Sequence, residues 1–127
     1  MLVSDAMSTI VLTIGPDHTL RHAARLMSAR KVGAAVILDP DTYGLGILTE
    51  RDILNAVGAG QDPDHERACA HTTPDVVFAA PEWTLKEAAG SMVRGGFRHL
   101  IVLDGQELVG MVSVRDIMRC WAPALAA

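Results

Sequence analysis

The chain carries one pattern twice. Residues 16–39 run from Pro16-Asp17-His18-Thr19-Leu20 to Val36-Ile37-Leu38-Asp39, and residues 81–104 run from Pro81-Glu82-Trp83-Thr84-Leu85 to Ile101-Val102-Leu103-Asp104. At an offset of 65 the Pro, Thr, Leu, paired Ala, Met, Leu and Asp recur in register, 8 identities in 24 positions. After a loop one residue shorter the match resumes at an offset of 64, where Gly46-Ile47-Leu48-Thr49-Glu50-Arg51-Asp52-Ile53 answers Gly110-Met111-Val112-Ser113-Val114-Arg115-Asp116-Ile117. Solenoid periods run roughly 20–50 residues, so this longer repeat implies two copies of one small α/β unit packed as a pseudo-symmetric pair. A half of this size would bury only about 60% of its unfolded surface and be marginal alone. Two equivalent units make two equivalent clefts, and a polar motif found at the same place in both is harder to dismiss.

Composition excludes several functions. Half of the 127 residues are hydrophobic and 20% are charged, which fits a globular chain and not a disordered one. Net charge is −4 and no basic stripe is present, so no nucleic-acid surface is expected. No apolar run approaches the roughly 20 residues of a membrane span, and Met1-Leu2-Val3-Ser4-Asp5 does not read as a signal peptide. Cys69 and Cys120 make no disulfide framework. The expectation is a cytoplasmic chain.

Within each half the pattern reads strand, helix, strand, strand, helix. A strand near 10–14 precedes a turn at Pro16-Asp17-His18. Thr19 then caps a helix whose apolar face is Leu20, Ala23, Ala24 and Met27, with Lys31-Val32-Gly33 as its stop. The apolar run 34–38 reads as a buried strand and 45–48 as the returning one, with Thr49 opening a helix through about Val57. The second half repeats this. A strand at 76–79 precedes a capping box at Thr84-Leu85-Lys86-Glu87 and a helix over Leu85, Ala88, Ala89 and Met92 ended by Gly95-Gly96. A hairpin over 99–103 and 107–113 turns at Asp104-Gly105, and Ser113 opens the last helix. The fold class is α/β (α+β), each repeat a small mixed three-stranded sheet with two helices on one face. Repeat 1 spans 1–62 and repeat 2 spans 63–121, joined by a polar linker near 61–67, with a frayed tail at 122–127.

The motif with chemical potential is Thr49-x-x-Asp52 and its equivalent Ser113-x-x-Asp116. A hydroxyl and free N–H groups at a helix start favour an anion, helped by the positive end of the helix dipole. The carboxylate one turn on repels a phosphate but accepts charge-assisted hydrogen bonds from a pair of hydroxyls such as a ribose diol. A nucleoside phosphate satisfies both. Either pair can also be a plain N-cap, and the two roles are compatible. Arg51 and Arg115 lie inside the motifs, where they either reach phosphate or sit as surface charges worth a few tenths of a kcal/mol.

Other candidates carry less. His18 and His22 are four apart, and His65, Cys69, His71 and Cys120 invite a zinc reading, but the spacings match no standard zinc module, so no metal is expected. No Gly-x-Ser-x-Gly elbow or nucleophile–base pair is present, so the chain does not read as an enzyme. Met27 and Met92 read as core, Trp83 and Trp121 as packing or interface residues.

Taken together, Met7-Ser8-Thr9, Gly33–Asp39 and Gly46–Ile53, with His71-Thr72-Thr73-Pro74, Phe97–Asp104 and Gly110–Ile117 as counterparts, resemble a tandem pair of CBS (cystathionine β-synthase motif) domains, a Bateman module. The resemblance covers about 3–121. It implies a stand-alone regulatory module that binds an adenosine-containing ligand (AMP, ADP, ATP or S-adenosylmethionine) in inter-repeat clefts and signals to an unidentified regulated protein. It also implies a homodimer in which two pairs stack their helices into a disc. By the same resemblance one cleft combines Thr9, Leu12, Val32 and Gly33 with Arg98, His99, Ser113 and Asp116, and Arg115 is counted among the ligand-binding residues. The other combines Thr72, Val77 and Phe97 with Thr49 and Asp52. Only the first has Arg98 and His99 beside it, where repeat 1 has Gly33 and Ala34, so the Asp116 cleft is expected to be the better phosphate site. The alternative is a protein–protein interaction or assembly module with vestigial clefts, and a third reading is a metal-linked sensor.

Overall fold

In the computed structural model, residues 1–73 and 76–122 are described, and most of the expected tail at 122–127 lies outside them. Two compact units form, and they cut across the sequence repeat. One is Val11–Val76. The other is composite, joining Met1–Ile10 to the chain from Val77 onward.

In the Val11–Val76 unit, β1 (Thr13–Ile14), α1 (Leu20–Arg30), β2 (Ala34–Leu38), β3 (Leu45–Thr49) and α2 (Glu50–Gly58) follow in order. The sheet order is β1-β2-β3, with β1 parallel and β3 antiparallel to β2. This is the expected mixed three-stranded sheet. Strand β1 is shorter than the sequence implied, because Ile10 is 80% exposed and lies in the other unit. Residues alternate across β2, so Ala35 and Ile37 share one face. On that face they pack with Leu12, Leu48, the α1 residues Leu20, Ala23 and Met27, and Ala56 of α2, all buried. Both helices therefore cover the same side of the sheet, as their apolar stripes require.

Helix α1 starts where expected, with the Thr19 hydroxyl accepting from the His22 N–H at 3.1 Å. Its stop is a correction to the sequence reading. The left-handed capping residue is Lys31, at φ 56°, and not Gly33. The second repeat places Gly96, at φ 72°, at the corresponding position. A lysine there has the steric cost that glycine avoids.

The composite unit contains β4 (Phe78–Ala79), α3 (Leu85–Gly95), β5 (His99–Asp104), β6 (Glu107–Ser113) and α4 (Val114–Trp121), with sheet order β4-β5-β6. Strand β4 is two residues shorter than its expected span. The Thr84–Glu87 capping box forms in both directions, and Gly105 takes φ 63° in the hairpin turn. The core joins Leu85, Ala88 and Met92 of α3 to Leu100, Val102, Val112 and Ile117. It also takes in Val3, which is fully buried although it is about 75 residues from its neighbours in sequence.

Val3 is carried by a short lead-in helix, Val3–Ala6, that sequence periodicity does not reveal. The Val3 N–H donates to the Trp83 carbonyl at 2.7 Å, Ser4 donates to Pro81 at 3.0 Å, and Leu85 donates to Met1 at 3.0 Å. The other unit repeats these bonds at the 65-residue offset. Ala68 donates to His18 at 2.7 Å, Cys69 to Pro16 at 3.0 Å and Leu20 to Glu66 at 3.0 Å. Each unit is thus completed by the segment that precedes the other repeat in sequence.

The stretch expected as a linker is tied to the Val11–Val76 unit. Arg21 pairs with Asp64, Arg67 with Asp17 at 3.4 Å, and His71 with Glu66 at 2.8 Å. The Asp64 N–H and the His65 ring hold the Asp62 carboxyl below its ordinary range. The Asp62 contact in turn raises His65 above its usual value. Apart from the half-buried His71–Glu66 pair these groups are exposed, so they fix the path of the segment more than they stabilise it.

Candidate functional site

Both candidate motifs sit where a strand runs straight into a helix. β3 ends at Thr49 and α2 begins at Glu50, and β6 ends at Ser113 and α4 begins at Val114. The two N-cap residues have identical backbone angles, φ −111° and ψ 163°. In each, the hydroxyl accepts the N–H of the aspartate three residues on, at 3.2 Å from Asp52 and 3.1 Å from Asp116. The aspartate in return accepts the N-cap N–H, at 2.8 Å from Thr49 and 2.9 Å from Ser113. These are reciprocal capping boxes, each bond set contributing about 1 kcal/mol to its helix.

The adjoining strand takes a further helix-start donor. Glu50 N–H donates to the Gly33 carbonyl and Val114 N–H to the Arg98 carbonyl, both at 2.9 Å. Of the first three helical N–H groups, the first and third are committed to the fold. Among the described residues no partner outside its own helix takes the N–H of Arg51 or of Arg115. The anion-binding capacity is narrower than the sequence pattern alone implied, and it falls on the arginines inside each motif, whose side chains are exposed.

Arg98 and His99 stand next to Ser113, because His99 pairs with Ser113 in the β5–β6 register. Ala34 pairs with Thr49 at the corresponding place. The composite unit therefore has Arg98 and His99 at the strand position next to its helix start, and the other unit has Gly33 and Ala34 there. Arg98 is exposed, and no carboxylate pairs with it among the described residues.

The two carboxylates differ in what surrounds them. Asp52 Oδ2 accepts three donors: Thr49 N–H at 2.8 Å, the Thr49 hydroxyl at 2.9 Å and the Thr73 hydroxyl at 2.7 Å. Among the described residues Asp116 Oδ2 accepts only Ser113 N–H, and its Oδ1 faces the exposed Arg119 guanidinium at 3.3 Å. Sequence reasoning named Thr72 and missed Thr73. The signal that could have found it is the repeat, which aligns Thr73 with Ser8.

The remaining expected site residues divide between the units. Leu12, Val32, Gly33 and Thr72 lie in the unit that holds Thr49 and Asp52. Leu12 is buried, Val32 is 40% exposed, and the Thr72 methyl lies against Gly46. Thr9, Val77, Phe97, Arg98, His99 and Arg115 lie in the unit that holds Ser113 and Asp116. Val77 and Phe97 pack on its core, and Thr9 is exposed.

The histidines do not gather. His18 and His22 stack at 4.7 Å, His65 bonds Asp62 and His71 bonds Glu66. Among the described residues no group of three or more His, Cys, Asp or Glu could hold a metal ion. No helix among them is long and apolar enough to cross a membrane.

Comparison with known proteins agrees with this architecture. The family model for the CBS domain matches residues 3–59 and 69–122. The chain is 34% identical over 118 residues to an uncharacterized 17.7 kDa protein of Acidianus ambivalens, covering 92% of this chain and 71% of that one. It is 33% identical to the CBS domain-containing protein CBSCBSPB2 of Arabidopsis thaliana, but spans only 24% of that protein's length. Among solved structures, a putative signal-transduction protein with CBS domains from Burkholderia ambifaria has a TM-score of 0.90 at 25% identity, covering 97% of this chain and 95% of that one. The CBS domain pair of protein MJ0100, solved with 5′-methylthioadenosine and S-adenosyl-L-methionine, has a TM-score of 0.84 at 22% identity over 98% of each chain.

Proposed function

Because the chain belongs to the CBS domain family, we propose that it is a regulatory module that binds an adenosine-containing small molecule, AMP, ADP, ATP or S-adenosylmethionine, and reports its presence to a partner protein. The observation that carries this reading is the pair of superimposable Thr/Ser-x-x-Asp helix starts. Each places a hydroxyl, one helix-start N–H and a carboxylate within one turn, the groups that a ribose phosphate needs, and the Ser113–Asp116 start leaves more of them uncommitted. Arg98 and His99 beside Ser113 favour the composite unit as the phosphate end. MJ0100, which shares the fold, binds two adenosine compounds. The ligand acts by favouring one arrangement of the chain over another, in proportion to its differential affinity.

A second reading, an interaction or assembly module, has its own support. Leu54 and Val57 on α2 are 62% and 52% exposed, and Met118 and Trp121 on α4 are 60% and 57% exposed. Each pair is three residues apart on one helix face, and the repeat places them in equivalent positions. These stripes suit a homodimer or a regulated partner.

A thermal-shift screen against AMP, ADP, ATP, S-adenosylmethionine, NAD and GTP separates the readings. A ligand at 100 times its dissociation constant adds about 2.7 kcal/mol, a shift of several degrees for a chain of this size. The regulatory reading predicts such a shift for an adenosine compound. No shift with any of the six would leave the assembly reading.

A further inference from the structure

The two helix starts have the same backbone but unequal free capacity, and one hydroxyl accounts for most of the difference. Thr73 Oγ1 donates to Asp52 Oδ2 at 2.7 Å. Its counterpart Ser8 occupies the same place in the repeat and the same lead-in position, pairing with Met111 as Thr73 pairs with Ile47. Yet the Ser8 hydroxyl donates to the Ile10 carbonyl at 3.2 Å and leaves Asp116 alone. Asp52 Oδ2, with three donors, has no room for a fourth. Among the described residues Asp116 Oδ2 has a single donor, and the Arg119 group on Oδ1 is a long, exposed contact at 3.3 Å that a ligand hydroxyl can replace.

Resting on the proposed adenosine reading, we infer that Thr73 is a built-in occupant of the Asp52 carboxylate. Its hydroxyl stands where a ligand hydroxyl would donate, so the chain binds one adenosine ligand, at Asp116, and holds the Asp52 helix start closed. A vicinal diol needs two acceptor positions on one carboxylate. Asp116 supplies both oxygens and Asp52 only Oδ1. A hydrogen bond to a charged group separates a served from an unserved hydroxyl by about ten-fold or more in affinity. The asymmetry reaches the same half of the molecule as Arg98 and His99 do, by an independent route.

Calorimetric titration with AMP, and in parallel with S-adenosylmethionine, tests this on five chains of residues 1–127. The unsubstituted chain should bind one equivalent. Asp116→Ala should lose that binding and Asp52→Ala should keep it. Thr73→Val keeps the side-chain shape and removes the hydroxyl, and it should bring a second equivalent or tighten a weak second step about ten-fold. A Ser8→Ala chain controls for the lead-in segment and should match the unsubstituted one. Two equal sites in the unsubstituted chain, loss of binding on Asp52→Ala, or an unchanged isotherm for Thr73→Val would overturn the inference and leave the regulatory reading standing. Absence of binding in every chain, with folding verified by circular dichroism, would overturn both.

Discussion

A chain carrying Val3→Asp should lose the folded state of a unit whose other residues begin some 75 positions later. Val3 is fully buried against Leu85, Leu100, Val112 and Ile117, and among the described residues no buried polar side chain is present to receive a charge. An unpaired carboxylate there costs at least about 4 kcal/mol, a large share of the roughly 5–15 kcal/mol that holds a domain together. Hydrogen exchange read residue by residue should show protection lost first in α3, β5 and β6. Amides of β2 and β3 should respond less, since their core does not contain Val3. Uniform loss across both units would show that they unfold as one. Unchanged stability would show that the lead-in helix does not complete the composite unit.

Gly110→Ala should be the second large effect, and the repeat supplies its control. A methyl group at Gly110 would lie 2.7 Å from the Ser8 carbonyl and 2.8 Å from Met7 Sδ. The Ser8 carbonyl is fixed by its bond from Met111 N–H at 3.0 Å, so the backbone itself must move. Overpacking of this kind costs about 1–3 kcal/mol. At the equivalent Gly46 the nearest atom is the Thr72 methyl at 3.3 Å, a side chain that can turn. Gly46→Ala should therefore cost less than Gly110→Ala in denaturant unfolding. Equal costs would mean that the lead-in segment yields freely at Ser8.

These two effects mark the limit of what the sequence discloses. The repeat, the mixed sheets and the capping boxes are all local or periodic, and the residues state them directly: Thr84 with Glu87, Thr49 with Asp52, and the alternation in β2. The exchange of lead-in segments is not local. Nothing in Leu2-Val3-Ser4-Asp5 distinguishes pairing with Trp83 from pairing with the adjacent repeat, because the decision lies in packing across about 75 residues. Lys31 in the left-handed cap is hidden for a related reason. Gly33 is the better local stop, and the fold overrides it because Val32 N–H must reach Met27 and Gly33 must meet Glu50. For the site, the motif residues were legible, and Arg98 and His99 came from the family resemblance, with the strand register then setting His99 opposite Ser113. Whether a carboxylate is already satisfied depends on a side-chain rotamer. Thr73 and Ser8 are the same chemistry at the same place, yet they point their hydroxyls at different acceptors.

The central claim is that a Thr/Ser-x-x-Asp helix start, the one at Ser113–Asp116, receives an adenosine ligand, and amide chemical shifts on addition of AMP test it most directly. The account predicts the largest changes at Arg115 and Asp116, with the Arg98 and His99 amides following and Arg51 moving less. Changes absent from α4's first turn, or centred instead on Met118 and Trp121, would contradict it and identify the exposed helix face as the working surface.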